Sequence, residues 1–192
     1  MKHLFNTKFL LAGLLFSGIF VACSDDDDAI PPVVNESELI TTVIIEFEAQ
    51  NANDPNSDVT ITFTDLDGDG PNPPVVDQQG SFLASTTYAG FITLLDESQN
   101  PVEDISLEIE DEADEHEFFY LLNNLPNSLI TKTDTDLNGN PLGLEFTFNA
   151  GSAANGTLTV ILLHELTKPN NGDPATAGGD VDLEITLPMV IN

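Results

Sequence analysis

The sequence predicts an all-β domain, an antiparallel sandwich of immunoglobulin-like type, behind a short N-terminal leader and tether. Three observations carry that expectation. Val59, Ile61 and Phe63 alternate strictly with Thr60, Thr62 and Thr64, the period-two pattern of a strand with one buried face. Similar β-branched and aromatic runs recur at short spacing, and no helical pattern is regularly interleaved with them. Between the runs fall turn-forming pairs: Asp67-Gly68, Asp69-Gly70, Asn138-Gly139, Asn155-Gly156 and Gly178-Gly179.

The expected strands cover residues 39–47, 59–64, 81–87, 88–95, 117–122, 129–135, 142–149, 157–166 and 180–190. In the first of them Val43, Ile45 and Phe47 fall in one phase, with the charged Glu46 in the other near its end. Residues 101–115 carry two competing periods. Ile105, Leu107 and Ile109 alternate as in a strand, whereas Val102, Ile105, Ile109 and Ala113 fit one stripe of a helix. A short helix or irregular crossover is the reading adopted for that segment.

Residues 1–22 have the layout of a secretory signal: Lys2 and Lys8, then an apolar run from Phe9 to Val21 too short for a comfortable membrane span. The run ends in Phe20-Val21-Ala22-Cys23, which resembles the lipobox of bacterial lipoproteins. That resemblance implies cleavage before Cys23, lipid on its sulfur and a membrane anchor. Each buried methylene of such a lipid contributes about 0.8 kcal/mol, so several acyl chains hold durably. Cys23 is the sole cysteine, so the mature fold must rest on its core without an internal disulfide. Ser24-Asp25-Asp26-Asp27-Asp28 follows and resembles the surface-export signal of lipoproteins in the Bacteroidota. Residues 23–37 then form a tether, and 38–192 a single β-sandwich domain.

Charge excludes whole classes of partner. The chain has 4 Lys and Arg against 33 Asp and Glu, with no arginine. The leader takes Lys2 and Lys8 and no acid, so two lysines against 33 acids leave the mature chain at −31. Such a surface repels phosphate backbones and anionic headgroups, and attracts cations; no nucleic acid is expected as partner.

Four blocks extend the resemblance into the domain: Asp65 to Asn72, Glu112 to Tyr120, Asn138 to Gly143 and Ala177 to Asp180. Together they resemble a family of small flavobacterial lipoproteins often labelled "type 1 periplasmic-binding fold" proteins. The alternating β and α units that this label calls for are absent from the sequence. The resemblance implies a TonB-dependent outer-membrane receptor as partner, in capture of a metal or another nutrient.

Three constellations have metal-ligand chemistry. Asp134, Asp136, Asn138, Gly139 and, at the twelfth position, Glu145 match the calcium-loop spacing, in which alternate oxygens converge on the ion. Against this, the flanks read as strands, Pro141 interrupts the loop, and an Asn-Gly hairpin turn accounts for the same residues. Asp65, Asp67 and Asp69 form a second oxygen cluster, with Val76 where the calcium loop needs its last carboxylate. The third joins Glu112, Asp114 and His116 to His164 and Glu165; imidazole with carboxylate suits zinc, copper and related transition metals. Its bland alternative is two histidines satisfied in the core, since each stands in phase with apolar neighbours on its own strand.

Catalysis is not expected. Cys23 is committed to the anchor and only Lys132 and Lys168 remain as lysine nucleophiles. No Gly-x-Ser-x-Gly elbow, phosphate loop or His-Glu-x-x-His helix occurs. Two functions stay open: a capture module that hands a cation or small nutrient to a receptor, and a structural or adhesive surface module whose acidic loops bind calcium for rigidity.

Overall fold

Alternation of the kind seen at Val59–Thr64 leaves one apolar face per strand, and the chain buries those faces against one another in an antiparallel β-sandwich. The computed structural model describes residues 39–50, 57–68 and 70–192. Cys23, the acidic run behind it and Asp69 lie outside the described residues.

One sheet holds β1 (Thr42–Ala49), β2 (Val59–Thr64), β3 (Val75–Gln79), β4 (Thr87–Asp96), β5 (Glu103–Asp104), β7 (Leu129–Lys132) and β8 (Glu145–Asn149). Its order is β3-β2-β1-β4-β8-β7, with β5 paired to the end of β4. The second holds β6 (His116–Asn123), β9 (Ala154–His164) and β10 (Asp180–Ile191), in the order β10-β9-β6. The ambiguous segment is a helix, α1 (Ile105–Asp111), which carries the chain from one sheet to the other. Asp104 caps it by accepting from the Ser106 amide at 3.1 Å, and Ile105 and Ile109 turn inward.

Between the sheets, Val43, Ile45 and Phe47 of β1 share one core with Phe118, Leu158, Val160, Leu162, Ile185 and Leu187. Phe47 is its hub, edge-on to Phe82 at 4.8 Å, Phe146 at 5.7 Å and Phe148 at 5.8 Å. Each such fully buried side chain contributes about 1.5–3 kcal/mol.

The three-stranded sheet is covered on its other face too. Phe119, Ile161 and Leu163 point outward, and Leu166 and Ala177 cover them. Ala177 belongs to the short helix α2 (Pro174–Ala177), capped by Asp173. This double cover makes the first four residues of β6 and the last five of β9 buried without alternation. His116 and His164 lie in those two stretches.

Three local expectations are corrected. Residues 81–86 form no strand, and only Thr87 of the expected run belongs to one, as the start of β4: Phe82 drops into the aromatic core and makes one parallel bridge to Ile191, and Ser85 adopts φ 60°. Asn155-Gly156 is no turn but lies within β9, where a Cβ on Gly156 would meet the Asn123 carbonyl oxygen at 2.2 Å. The edge strand β3 was not expected, because its residues are exposed throughout and show no buried phase.

Candidate metal centre

Antiparallel pairing of β6 with β9 sets His116 directly opposite His164, in register with the inward-facing pair Phe118 and Leu162. Directly opposed side chains on one face are in contact distance. The two imidazoles stack with centroids 4.2 Å apart and planes 16° from parallel. Their side chains are 1% and 7% exposed.

The turn after α1 orients the first ring. His116 Nδ1 lies 3.1 Å from the Glu112 carbonyl oxygen, so Nδ1–H donates and Nε2 carries the lone pair. Nε2 is buried and has no hydrogen-bond partner. Burial holds the His116 imidazole below the usual histidine range, and neighbouring His164 acts in the same direction. The Glu112 carbonyl, Asp182 and the Glu112 carboxylate oppose that shift without reversing it. At neutral pH the ring is uncharged, the form that ligates metal.

Asp182 completes the enclosure. Its Oδ2 lies 3.8 Å from His116 Nε2 and 3.7 Å from His164 Nδ1, and its side chain is 2% exposed. A register shift in the β9–β10 pairing delivers it there: Val181 faces Leu163, Leu183 faces Leu162, and Asp182 is the extra residue between them. On the solvent side, Glu115 Oε2 is 3.6 Å from His164 Nε2.

Two groups of three donors lie close enough to share an ion, with ligand atoms within 4.8 Å: Glu112 with His116 and His164, and Glu115 with His164 and Glu165. Glu165 is brought round by its positive φ of 53° at the end of β9. Of the residues expected from sequence, Glu112 and His116 therefore meet His164 in one group, and Glu165 meets His164 in the other. Asp114, on the same turn, belongs to neither group and lines a groove.

Asp182 and Glu115 were missed. Val181, Leu183, Ile185, Leu187 and Met189 alternate so regularly that Asp182 reads as solvent-facing. The bulge instead leaves Val181 55% exposed and turns Asp182 inward. Glu115 carried a weak signal, its place beside His116 in an acidic run.

The donor spacing suits a small transition-metal ion after modest tightening. Zinc bonds of about 2.0–2.1 Å in a tetrahedron place ligand atoms about 3.3 Å apart. The Asp182 oxygen, 3.8 Å from His116 Nε2 and 3.7 Å from His164 Nδ1, lies half an ångström or less beyond that, whereas Glu115 faces the opposite nitrogen of His164 and would not share the same ion. Because the rings stack nearly parallel, a shared ion would require the imidazoles to turn about their Cβ–Cγ bonds until both point at it.

The two oxygen clusters are built differently. Asp136 accepts from the Asn138 and Asn140 amides, each at 2.8 Å, and from the Asn140 side chain at 2.9 Å. Asp134 accepts from the Gly143 amide at 2.7 Å and the Glu145 amide at 3.1 Å. Lys168 Nζ lies 3.7 Å from Asp136 Oδ2, supplying the positive charge that a cation would bring. Burial favours the protonated form of Asp136, but the hydrogen bonds from Asn140 and Asn138 and the Lys168 charge outweigh it and lower its pKa. Glu145 sits exposed on β8, opposite Phe91 of β4. In the earlier loop, Asp67 accepts from the Asn72 side chain at 2.7 Å, and one oxygen of Asp65 is buried without a hydrogen bond.

Both lysines among the described residues are spent on buried carboxylates. Lys132 pairs with Glu117, whose other oxygen accepts from Asn170 at 2.6 Å; Lys168 pairs with Asp136 and donates to the Ala113 carbonyl at 2.7 Å. Burial lowers both lysine pKa values, against the pull of Glu117 on each.

In comparison with known proteins, no family model, curated protein or solved structure matches the chain.

Proposed function

We propose that this protein is a membrane-tethered, surface-exposed capture module that binds a transition-metal cation of the zinc or copper class and presents it to an outer-membrane receptor. The observation that carries the metal reading is the buried Nε2 of His116. It holds a lone pair, has no hydrogen-bond partner, and lies beside a second imidazole and a buried carboxylate. An uncompensated buried nitrogen costs about 1–3 kcal/mol, and an ion shared with His164 and Asp182 would remove that cost. Two imidazoles with carboxylates form a borderline donor set, suited to zinc or copper over calcium or magnesium.

The tether and the receptor rest on sequence: the lipobox-like residues ending at Cys23, the acidic run behind it, and the flavobacterial resemblance. A mature chain of charge −31 held at a membrane gathers cations from its surroundings and stays clear of anionic headgroups. With both described lysines held in ion pairs and no catalytic motif in the sequence, the domain is read as a non-enzyme.

The test is calorimetric titration of the chelator-stripped protein with zinc and with copper. One ion should bind per chain at about micromolar affinity or better, and His116→Ala or His164→Ala should abolish it. Circular dichroism establishes that the variants remain folded. Absence of binding, or binding that survives both replacements, would sink the proposal.

A further inference from the structure

A second feature stands apart from the histidines: a groove between α1 and the loop that carries Leu137. It opens over β4 and β8 as two adjoining hollows of about 400 and 650 Å³, which share Glu110, Ala113 and Leu137. Phe91, Ile92 and Leu144 line the first hollow. Leu107 and Leu137 form its lips, 61% and 106% exposed. Around them stand the exposed carboxylates of Glu110, Asp111, Asp114 and Glu145.

Leucines held in water beside a hollow with apolar lining have hydrophobic free energy still to gain. The charge around them selects the occupant. Lys132 and Lys168 are locked in ion pairs with buried carboxylates, so neither offsets the rim. Anionic membranes and a second copy of this chain, of net charge −29, are repelled. We infer that the groove docks a basic segment of a partner protein, one that inserts a leucine-sized side chain between Leu107 and Leu137 and sets lysine or arginine against the carboxylate rim. Such a segment satisfies both features at once, whereas a purely apolar or purely cationic ligand satisfies only one.

The site needs no metal, and its test is independent of the histidines. Two short labelled peptides of equal positive charge, one alternating Lys with Leu and one alternating Lys with Ser, are titrated into the purified protein by fluorescence anisotropy. The Leu peptide should bind about tenfold more tightly, the worth of one well-buried leucine. That difference should vanish in the Leu107→Ser/Leu137→Ser protein, whose replacements are exposed and leave the fold intact. Both peptides should weaken as salt rises to about 0.3 M. Equal affinities for the two peptides would reduce the groove to a diffuse polyanion and overturn the inference. So would a Leu preference that survives the double replacement. Flotation with neutral phosphatidylcholine vesicles, or dimerisation lost in the same double variant, would assign the leucines to a membrane or a second copy and equally overturn it.

Discussion

Lys132→Met is the perturbation whose cost follows most directly from the structure. The lysine reaches across from β7 to Glu117 on the outer face of β6, with its ammonium 4.4 Å from the centre of the Phe119 ring. Its side chain is 18% exposed; that of Glu117 is 4% exposed. Methionine keeps the apolar stem and deletes the charge, leaving a buried carboxylate with only Asn170 as its side-chain donor. Breaking one partner of a buried pair costs about 3–5 kcal/mol. The partial exposure of Lys132 opens a route for water, which places the expected loss near the lower figure, about 3 kcal/mol. For a domain of this size that corresponds to a fall in Tm of about 6–12 °C. Glu117→Leu combined with Lys132→Met should recover most of the loss, because an apolar pair packs against Phe119 without a charge to solvate. Urea unfolding followed by circular dichroism, run as a double-mutant cycle, measures the coupling, expected at about 2 kcal/mol or more. If Lys132→Met costs under about 1 kcal/mol and the coupling is near zero, the pair is solvated like a surface bridge and the reasoning fails.

Acid should destabilise the protein through His116. Burial lowers its pKa in the folded state, so below the unfolded value of 6.5 the unfolded chain takes up a proton that the folded chain resists. Stability from this group is fully present above that pH and is lost as pH falls from there toward the folded pKa; His116→Gln should shrink the drop in urea midpoint between about pH 7.5 and 5.5. Asp182→Asn keeps both imidazoles and should weaken zinc binding at least about tenfold in a competition titration, whereas unchanged affinity would remove Asp182 from the ligand set. Gly90→Ala would put a Cβ 2.1 Å from the Phe146 ring, and overpacking there should cost about 1–3 kcal/mol by denaturant unfolding.

The all-β sandwich was legible because alternation and turn residues are local signals. Val59–Thr64 shows its phase in six residues, and β2 occupies those same six. What failed was whatever depended on the partner surface. The residues of β3 are exposed throughout, so no hydrophobic phase announced it. Residues 81–87 read as a strand because Phe82 and its neighbours are apolar enough, but Phe82 is needed in the aromatic core at the seam with β10. At the candidate centre, His116 and His164 each stood out chemically, while their meeting depended on the β6–β9 register, which no local pattern encodes. Asp182 was hidden more deeply. A bulge moves a side chain to the opposite face without altering the sequence pattern from which that face is inferred.

That bulge also bears on how a cation reaches a buried pair of imidazoles. A continuous β10 would keep Asp182 in water and leave Val181, with its apolar side chain, against the rings. Shifting the register by one residue exchanges an apolar contact for a carboxylate behind the histidines, while Glu115, 55% exposed, stands in front of them. The centre therefore has an inner and an outer acid, at 3.7 and 3.6 Å from opposite nitrogens of the same ring. The outer carboxylate is solvated, and both lysines among the described residues are held in ion pairs, so on the proposed function it would exchange cations readily and with little discrimination. The inner one is desolvated and acts together with the His116 nitrogen, where softer, imidazole-binding ions are favoured over hard ones. On the proposed function, attraction and selection would thus be separated in space: the anionic surface would set how fast cations arrive, and the two histidines which of them stays.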